Sequence, residues 1–262
     1  MNHHSNQSLL SADETPPVRI LNPAGASPFL LLGDHAGNAI PASLASLGLG
    51  AADLARHIAW DIGVDGLGPK LAAALDAVFI RQTYSRLVVD CNRDPEAPDA
   101  MPEISDGTMI PGNAALTDGA RAARIAAIHG PYQAAIAAEL DRRHTGGMDT
   151  VIVSLHSFTP SMNGKDRPWQ IGVLYGGGST VFAKAVLDLL EKRRVWTVGD
   201  NEPYAMDGID FTVPHHCYDA GRPYAEIELR QDLVGDAAGQ RAWAGLLAEV
   251  LTAALPQAGH RR

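Results

Sequence analysis

The chain alternates short β-branched apolar runs with longer segments rich in Ala and Leu, and that alternation restricts it to a small set of folds. Apolar runs of about four to eight residues, bounded by turn formers, read as buried strands, and the longer segments between them read as helices. Repetition of the two makes βα units around a mainly parallel sheet. The pattern predicts strands near 28–34, 77–82, 86–91, 150–155, 170–175, 194–198 and 224–230. It predicts helices near 51–76, 117–143, 179–193 and 238–255, the first broken at Gly63 or Gly66. Thr117 with Asp118, and Ser179 with Thr180, stand where helix N-caps belong. The Gly-rich stretch 174–180, LYGGGST, matches neither phosphate-loop spacing and reads as a tight turn opening a helix. The expected organisation is a single three-layer αβα domain over residues 21–262, preceded by a partly disordered tail over residues 1–20.

Composition narrows the functional classes. With 46% hydrophobic but only 6% aromatic residues, the chain fills its core with aliphatic side chains. A formal net charge of -9 opposes a nucleic-acid partner, because binding phosphates needs clustered Lys and Arg. It says little about a small anionic substrate, which responds to local charge. No apolar run approaches the ~20 residues of a membrane-spanning helix, and the first residues carry neither a basic start nor an apolar stretch of signal-peptide type. The expected setting is cytoplasmic. Cys91 and Cys217, distant in sequence, read as two reduced thiols rather than a disulfide framework or a zinc cage.

Polar residues gather where predicted strands end. LLLGDHAGN runs from strand into Asp34, His35 and Asn38, and RLVVDCNRDP carries Asp90, Asn92, Arg93 and Asp94. VIVSLHSFTP reaches His156, and YAEIELRQDL carries Glu226, Glu228 and Arg230. The carboxyl ends of parallel strands share one edge, so these side chains can converge from far apart in sequence. Two long loops, 94–116 and 157–169, follow such strand ends, and long loops inside compact domains are often functional.

His35 and His156 are candidate imidazole ligands for zinc, which takes about three protein ligands at a catalytic site. A carboxylate should complete the set. Asp61 and Asp65, one helical turn apart in HIAWDIGVDG, are the candidates, and His57 is either a further ligand or an orienting partner. Arg86 and Arg93 bracket one predicted strand and suit either a bound carboxylate or an internal pair with Asp90 or Asp94. Glu226 and Glu228 share a strand face, and one of them can act as general base.

The succession DHAGNAIP, HIAWDIG, YSRLVVDCNRDP, VSLHSFTP, RPWQIGVLY, DNEPYAMDG and AEIELRQDL resembles the N-formylglutamate amidohydrolase family, in order, from about residue 28 to about 250. The resemblance implies a fold similar to zinc carboxypeptidases and aspartoacylases, and metal-dependent hydrolysis of an N-acyl amino acid. It implies His35 and His156 as metal ligands, Asn92 with Arg93 as a clamp on the substrate carboxylate, Arg86 as the carbonyl polariser and Glu228 as the base. One position departs: the carboxypeptidase-like relatives carry a Glu three residues after the first His, where this chain has Asn38. Asp61 is therefore the expected third ligand, with Asp65 in reserve. His216, on a predicted loop before the last strand, is expected to face substrate. The alternatives are a metal-free binding protein for a small carboxylate on the same fold, and a metal-free hydrolase using Ser154 or Cys91. Neither of those two residues sits in a nucleophile elbow.

Overall fold

In a computed structural model, residues 8–162 and 164–259 are described. Seven strands form the main sheet: β1 (Val18–Leu21), β2 (Phe29–Gly33), β3 (Val78–Gln82), β4 (Val151–Phe158), β5 (Ile171–Leu174), β6 (Val198–Asp200) and β7 (Tyr224–Arg230). Their spatial order is β1-β3-β2-β4-β7-β5-β6. The four central strands β3, β2, β4 and β7 are mutually parallel, whereas β1 runs antiparallel to β3 and β5 antiparallel to β7.

Side chains alternate across this sheet, and the alternation sorts them into two cores. Phe29, Leu31, Val151, Val153, Leu155, Ala225 and Ile227 face one layer, built from helices α1 (Val64–Leu75), α4 (Val181–Lys192) and α5 (Ala237–Ala254). Leu30, Leu32, Ile152 and Tyr224 face the other, built on helices α2 (Asp118–Arg124) and α3 (Gly130–Thr145) and on packed loops. On this second face the apolar series stops halfway along the strands: Ile152 is followed by Ser154 and His156, and Tyr224 by Glu226 and Glu228. The carboxyl half of the sheet therefore offers polar groups, His156, Glu226 and Glu228, from buried positions on rigid strands.

Several expectations are corrected. Residues 86–91 are not a strand but a buried turn whose carbonyls are satisfied from elsewhere. Asn113 donates to the Leu87 carbonyl at 2.9 Å and Arg124 to that of Val88 at 3.1 Å. Their apolar side chains, which suggested a strand, fill the second core instead. The predicted strand at 194–198 lies later, at Val198–Asp200, because Arg194 turns the chain with φ +52°. Of the segment expected as tail, residues 18–20 belong to β1, and the Thr15 carbonyl accepts from Tyr84 Oη at 2.7 Å. Residues 1–7 of that expected tail lie outside the described residues.

Thr117 caps α2 as expected, its Oγ1 accepting from Ala120 N at 3.2 Å. Between α2 and α3 the helix widens into a π-turn at Ile125–His129, which ends two residues before Pro131, a residue with no N–H to offer the ladder. The 51–76 helix is broken. Only a single turn, Ala51–Leu54, precedes a loop that ends at Gly63, where α1 starts. Gly63 has φ +93°, and a Cβ there would run into the Val234 carbonyl. Gly63→Ala is expected to destabilise the fold by about 1–3 kcal/mol, lowering Tm by about 2–4 °C for each kcal/mol. A melting temperature equal to that of the parent would show that this turn adapts without strain.

Candidate metal centre and active site

Three segments meet at the carboxyl edge of the sheet. The chain leaves β2 through Asp34 and His35, both nearly inaccessible, and the loop before α1 is pinned alongside by Asp61 N donating to the His35 carbonyl at 2.9 Å. β4 supplies His156, and Ser157 N donates to Asp61 Oδ2 at 3.2 Å. Asp61 Oδ2 stands 2.9 Å from His156 Nδ1 and 3.5 Å from His35 Nδ1. The two imidazole rings lie 5.0 Å apart at 66°.

The outer nitrogens are held from behind. His35 Nε2 is 2.6 Å from Asp90 Oδ1, while His156 Nε2 is 3.0 Å from Ser154 Oγ and 3.3 Å from Asp34 Oδ2. Each inner nitrogen thus faces a common point with Asp61 Oδ2, and each ring has an acidic partner that fixes its orientation. That is the outer support found around metal-binding histidines. His35 Nδ1 is buried yet makes no hydrogen bond. One donor atom from each of His35, Asp61 and His156 lies within 4.8 Å of the others. Two imidazoles and one carboxylate at that spacing fit a divalent transition metal, and an orphaned ring nitrogen aimed at the same point is what such an ion would satisfy.

Alternating charge accompanies this arrangement. Burial opposes ionisation of Asp61, but the charges and hydrogen bonds of His35 and His156 hold its carboxyl below the usual range. Burial likewise works against Asp90, and Arg86 with His35 outweighs it. Arg86 grips Asp90 Oδ2 through Nε at 3.0 Å and Nη2 at 2.6 Å, and its Nη1 lies 3.5 Å from Asp61 Oδ1. Glu226 and Glu228 behave differently. Burial pushes the Glu228 carboxyl up to about 8, with His156, Arg86 and Arg167 opposing and Asp61 adding to the rise. Burial also takes Glu226 to about 8, against the pull of His156. One oxygen of each glutamate has no hydrogen-bond partner.

A cavity of about 530 Å³ opens over the triad, and His35, Asp61, His156, Arg86, Asn92, Arg93 and Glu228 all line it. Asn92 acts within the wall. Its Oδ1 accepts from Phe211 N at 3.1 Å and Thr212 N at 2.9 Å, and its Nδ2 donates to Asp210 at 3.1 Å, so it fixes the neighbouring turn. Arg93 is paired with Asp99 at 3.2 Å and approaches Asp210 at 3.6 Å, rather than Asp90 or Asp94. Helix α3 holds this segment in place: Gln133 donates to the Cys91 carbonyl at 2.8 Å, and His129 in the π-turn meets the Arg93 carbonyl at 3.1 Å.

Other expected residues fall elsewhere. His216 is not among the residues lining the cavity; its Nε2 sits 2.8 Å from Gln133 Oε1, and burial pushes its ring down to about 4. It lies in a second π-turn, Pro214–Tyr218, which turns it inward onto α3. Asp65 pairs with Arg81 at 2.6 Å, away from the triad, because the break at Gly63 separates it from Asp61. His57 lines the cavity but faces Asp106 at 3.5 Å. Asn38 donates to the Leu54 carbonyl at 2.6 Å. Ser154 and Cys91 are wholly buried, and burial drives the Cys91 thiol well up, so neither is placed as a nucleophile. The support given by Asp34 and Asp90 was not assigned from sequence. Its signal there is faint: an acid directly before His35, and another four residues after Arg86.

The fold and site together define a class, an α/β hydrolase with a buried His-Asp-His set able to hold a metal. The model of the N-formylglutamate amidohydrolase family matches residues 27–235, and the chain belongs to that family, as a hydrolase acting on amide bonds. It is similar to the gene product Atu2144 from Agrobacterium tumefaciens, with 35% identity over 96% of this chain and 100% of that one, at a TM-score of 0.92. The N-formylglutamate amidohydrolase from Ralstonia eutropha JMP134 shares the fold at a TM-score of 0.64 and 19% identity, covering 92% of this chain and 99% of that one. No curated protein matches significantly. Among the described residues no helix is long and apolar enough to cross a membrane.

Proposed function

We propose that the protein is a zinc-dependent amidohydrolase that cleaves the amide bond of an N-acyl amino acid such as N-formylglutamate. The observation that carries this reading is the convergence of His35, Asp61 and His156 with a buried, unpartnered nitrogen on His35. His35, Asp61 and His156 would hold the zinc, which would supply Lewis-acid polarisation of the amide carbonyl and acidify the attacking water. Glu228, lining the same cavity, takes a proton from the attacking water and delivers it to the leaving nitrogen as the C–N bond breaks; the new acid then gives up its own proton to the amine, so that water and amide become carboxylate and ammonium. Arg86 lies beside the developing oxyanion, held in position by Asp90. Arg93 receives the substrate α-carboxylate as a partner for its planar fork. Asn92 acts by fixing the wall around Arg93. Two buried free thiols suit a reducing compartment, and we place the enzyme in the cytoplasm.

The test is release of free amine from N-formylglutamate and related N-acyl amino acids, with and without a chelator. The expected result is turnover that chelation abolishes and added zinc restores. A purified protein without metal, inactive after zinc is added, would favour a metal-free carboxylate-binding protein instead.

A further inference from the structure

The loop after β6 brings a phenol to the cavity beside Glu228. Asn201 N donates to the Val173 carbonyl at 3.1 Å and Asn201 Oδ1 accepts from Tyr175 N at 2.9 Å, so the chain leaving β6 is tied to the end of β5. The Glu202 carbonyl then packs on the bare faces of Gly172 and Gly199, where a Cβ on either would collide with it. Gly172 is the cross-strand partner of Glu228, and a Cβ there would also meet that of Glu228 at 3.4 Å. The loop therefore crosses the sheet next to Glu228. Tyr204, two residues on, lines the same cavity as Glu228, Arg86 and the triad, and with 39% of its surface accessible it stands at the mouth.

Arg167 holds this phenol from the adjoining recess, outside the main cavity. Its Nη1 donates to Tyr204 Oη at 2.9 Å, and its guanidinium carbon lies 4.7 Å from the ring centre. A bond that uses the phenol oxygen as acceptor, with a cation beside the ring, restricts the side chain to one orientation. The O–H itself finds no acceptor among the described residues and is free to donate. Burial pushes the hydroxyl above its ordinary value, the charge of Glu228 adds to the rise, and Arg167 and Arg86 oppose it. Tyr204 is thus a protonated donor at neutral pH, within electrostatic reach of both groups assigned to the scissile amide. Arg86 leaves room for a second donor, because its Nε and Nη2 are bound to Asp90 and its Nη1 faces Asp61 at 3.5 Å.

We infer that Tyr204 is a further catalytic residue, its O–H donating to the oxyanion that develops on the scissile carbonyl, and that Arg167 is the positioning residue that aims it. This rests on the amidohydrolase reading above. A neutral donor whose hydrogen bond strengthens only as charge develops acts on kcat more than on substrate binding. The competing role is structural, with Tyr204 merely closing the wall of the cavity.

The experiment measures kcat and KM for N-formylglutamate in the parent, Tyr204→Phe, Arg167→Gln and the double variant, all loaded with zinc, with zinc content and melting temperature recorded for each. Tyr204→Phe keeps the ring and removes only the hydroxyl, so kcat is expected to fall by about 10²-fold, with KM, zinc content and melting temperature near those of the parent. Arg167→Gln is expected to lose about tenfold in kcat, and the double variant to be no slower than Tyr204→Phe, since Arg167 acts through the hydroxyl that is then missing. Parent-like kcat in Tyr204→Phe overturns the inference, as does a loss expressed only in KM or accompanied by loss of zinc. Losses that multiply in the double variant remove Arg167 as the positioning residue. Each of those results leaves the amidohydrolase reading standing, whereas a parent that hydrolyses no N-acyl amino acid overturns both.

Discussion

Asp61→Ala is expected to lose zinc and activity together while the fold persists. Asp61 Oδ2 is the atom on which both inner imidazole nitrogens converge, at 2.9 and 3.5 Å, so its removal takes away one of three direct ligands. Partners outside the coordination sphere are themselves worth about 10- to 100-fold in metal affinity. A direct ligand should therefore cost at least about 10²-fold, and His35→Ala and His156→Ala should do the same. Asp90→Asn, which weakens only the support behind His35 Nε2 at 2.6 Å, should fall within the milder range of about 10- to 100-fold. Zinc titration against a competing chelator, alongside thermal melting to verify folding, provides the measurement. Parent-like affinity in Asp61→Ala would remove the triad as the metal site.

Glu228→Gln keeps the shape of the side chain and removes its ability to carry a proton, so kcat should drop by about 10² to 10⁴ with KM little changed. Zinc content should remain, since Glu228 is outside the group of candidate ligands. Glu226→Gln is the control, because Glu226 shares the face, the burial and one unpartnered oxygen of Glu228 but approaches His156 Nε2 at 3.9 Å. If Glu226→Gln shows the large kcat loss and Glu228→Gln does not, the base is Glu226. Arg93→Ala should fail in another way, raising KM for acids and much less for the corresponding methyl esters. An equal loss on acid and ester would leave Arg93 as an ion-pair partner of Asp99 and Asp210 only.

Much of the site was legible because it depends on local patterns. Strands that change from apolar to polar along one face announce where a sheet stops being core, and His35, His156, Glu226 and Glu228 are all found at such changes. Where local pattern misled, a nonlocal partner was responsible. Residues 86–91 have the apolar content of a strand, yet Asn113 and Arg124 satisfy their carbonyls, so no neighbouring strand is needed. His216 has the chemistry of a substrate contact, but Gln133 on α3 takes its ring.

By itself the sequence determined the α/β architecture, the strand ends at which polar groups leave the core, and the set of residue types available for metal and acid–base chemistry, since periodicity and composition are properties of neighbours along the chain. Only the tertiary structure separated Asp61 from Asp65. An unbroken helix would place both on one face, but Gly63 at φ +93° turns the chain between them, sending Asp61 to the histidines and Asp65 to Arg81. Sheet register brought Glu228 level with His156, and packing of two segments far apart in sequence set Asp34 and Asp90 behind the imidazoles. Distances between residues far apart in sequence are fixed by pairing and packing, which no local pattern encodes.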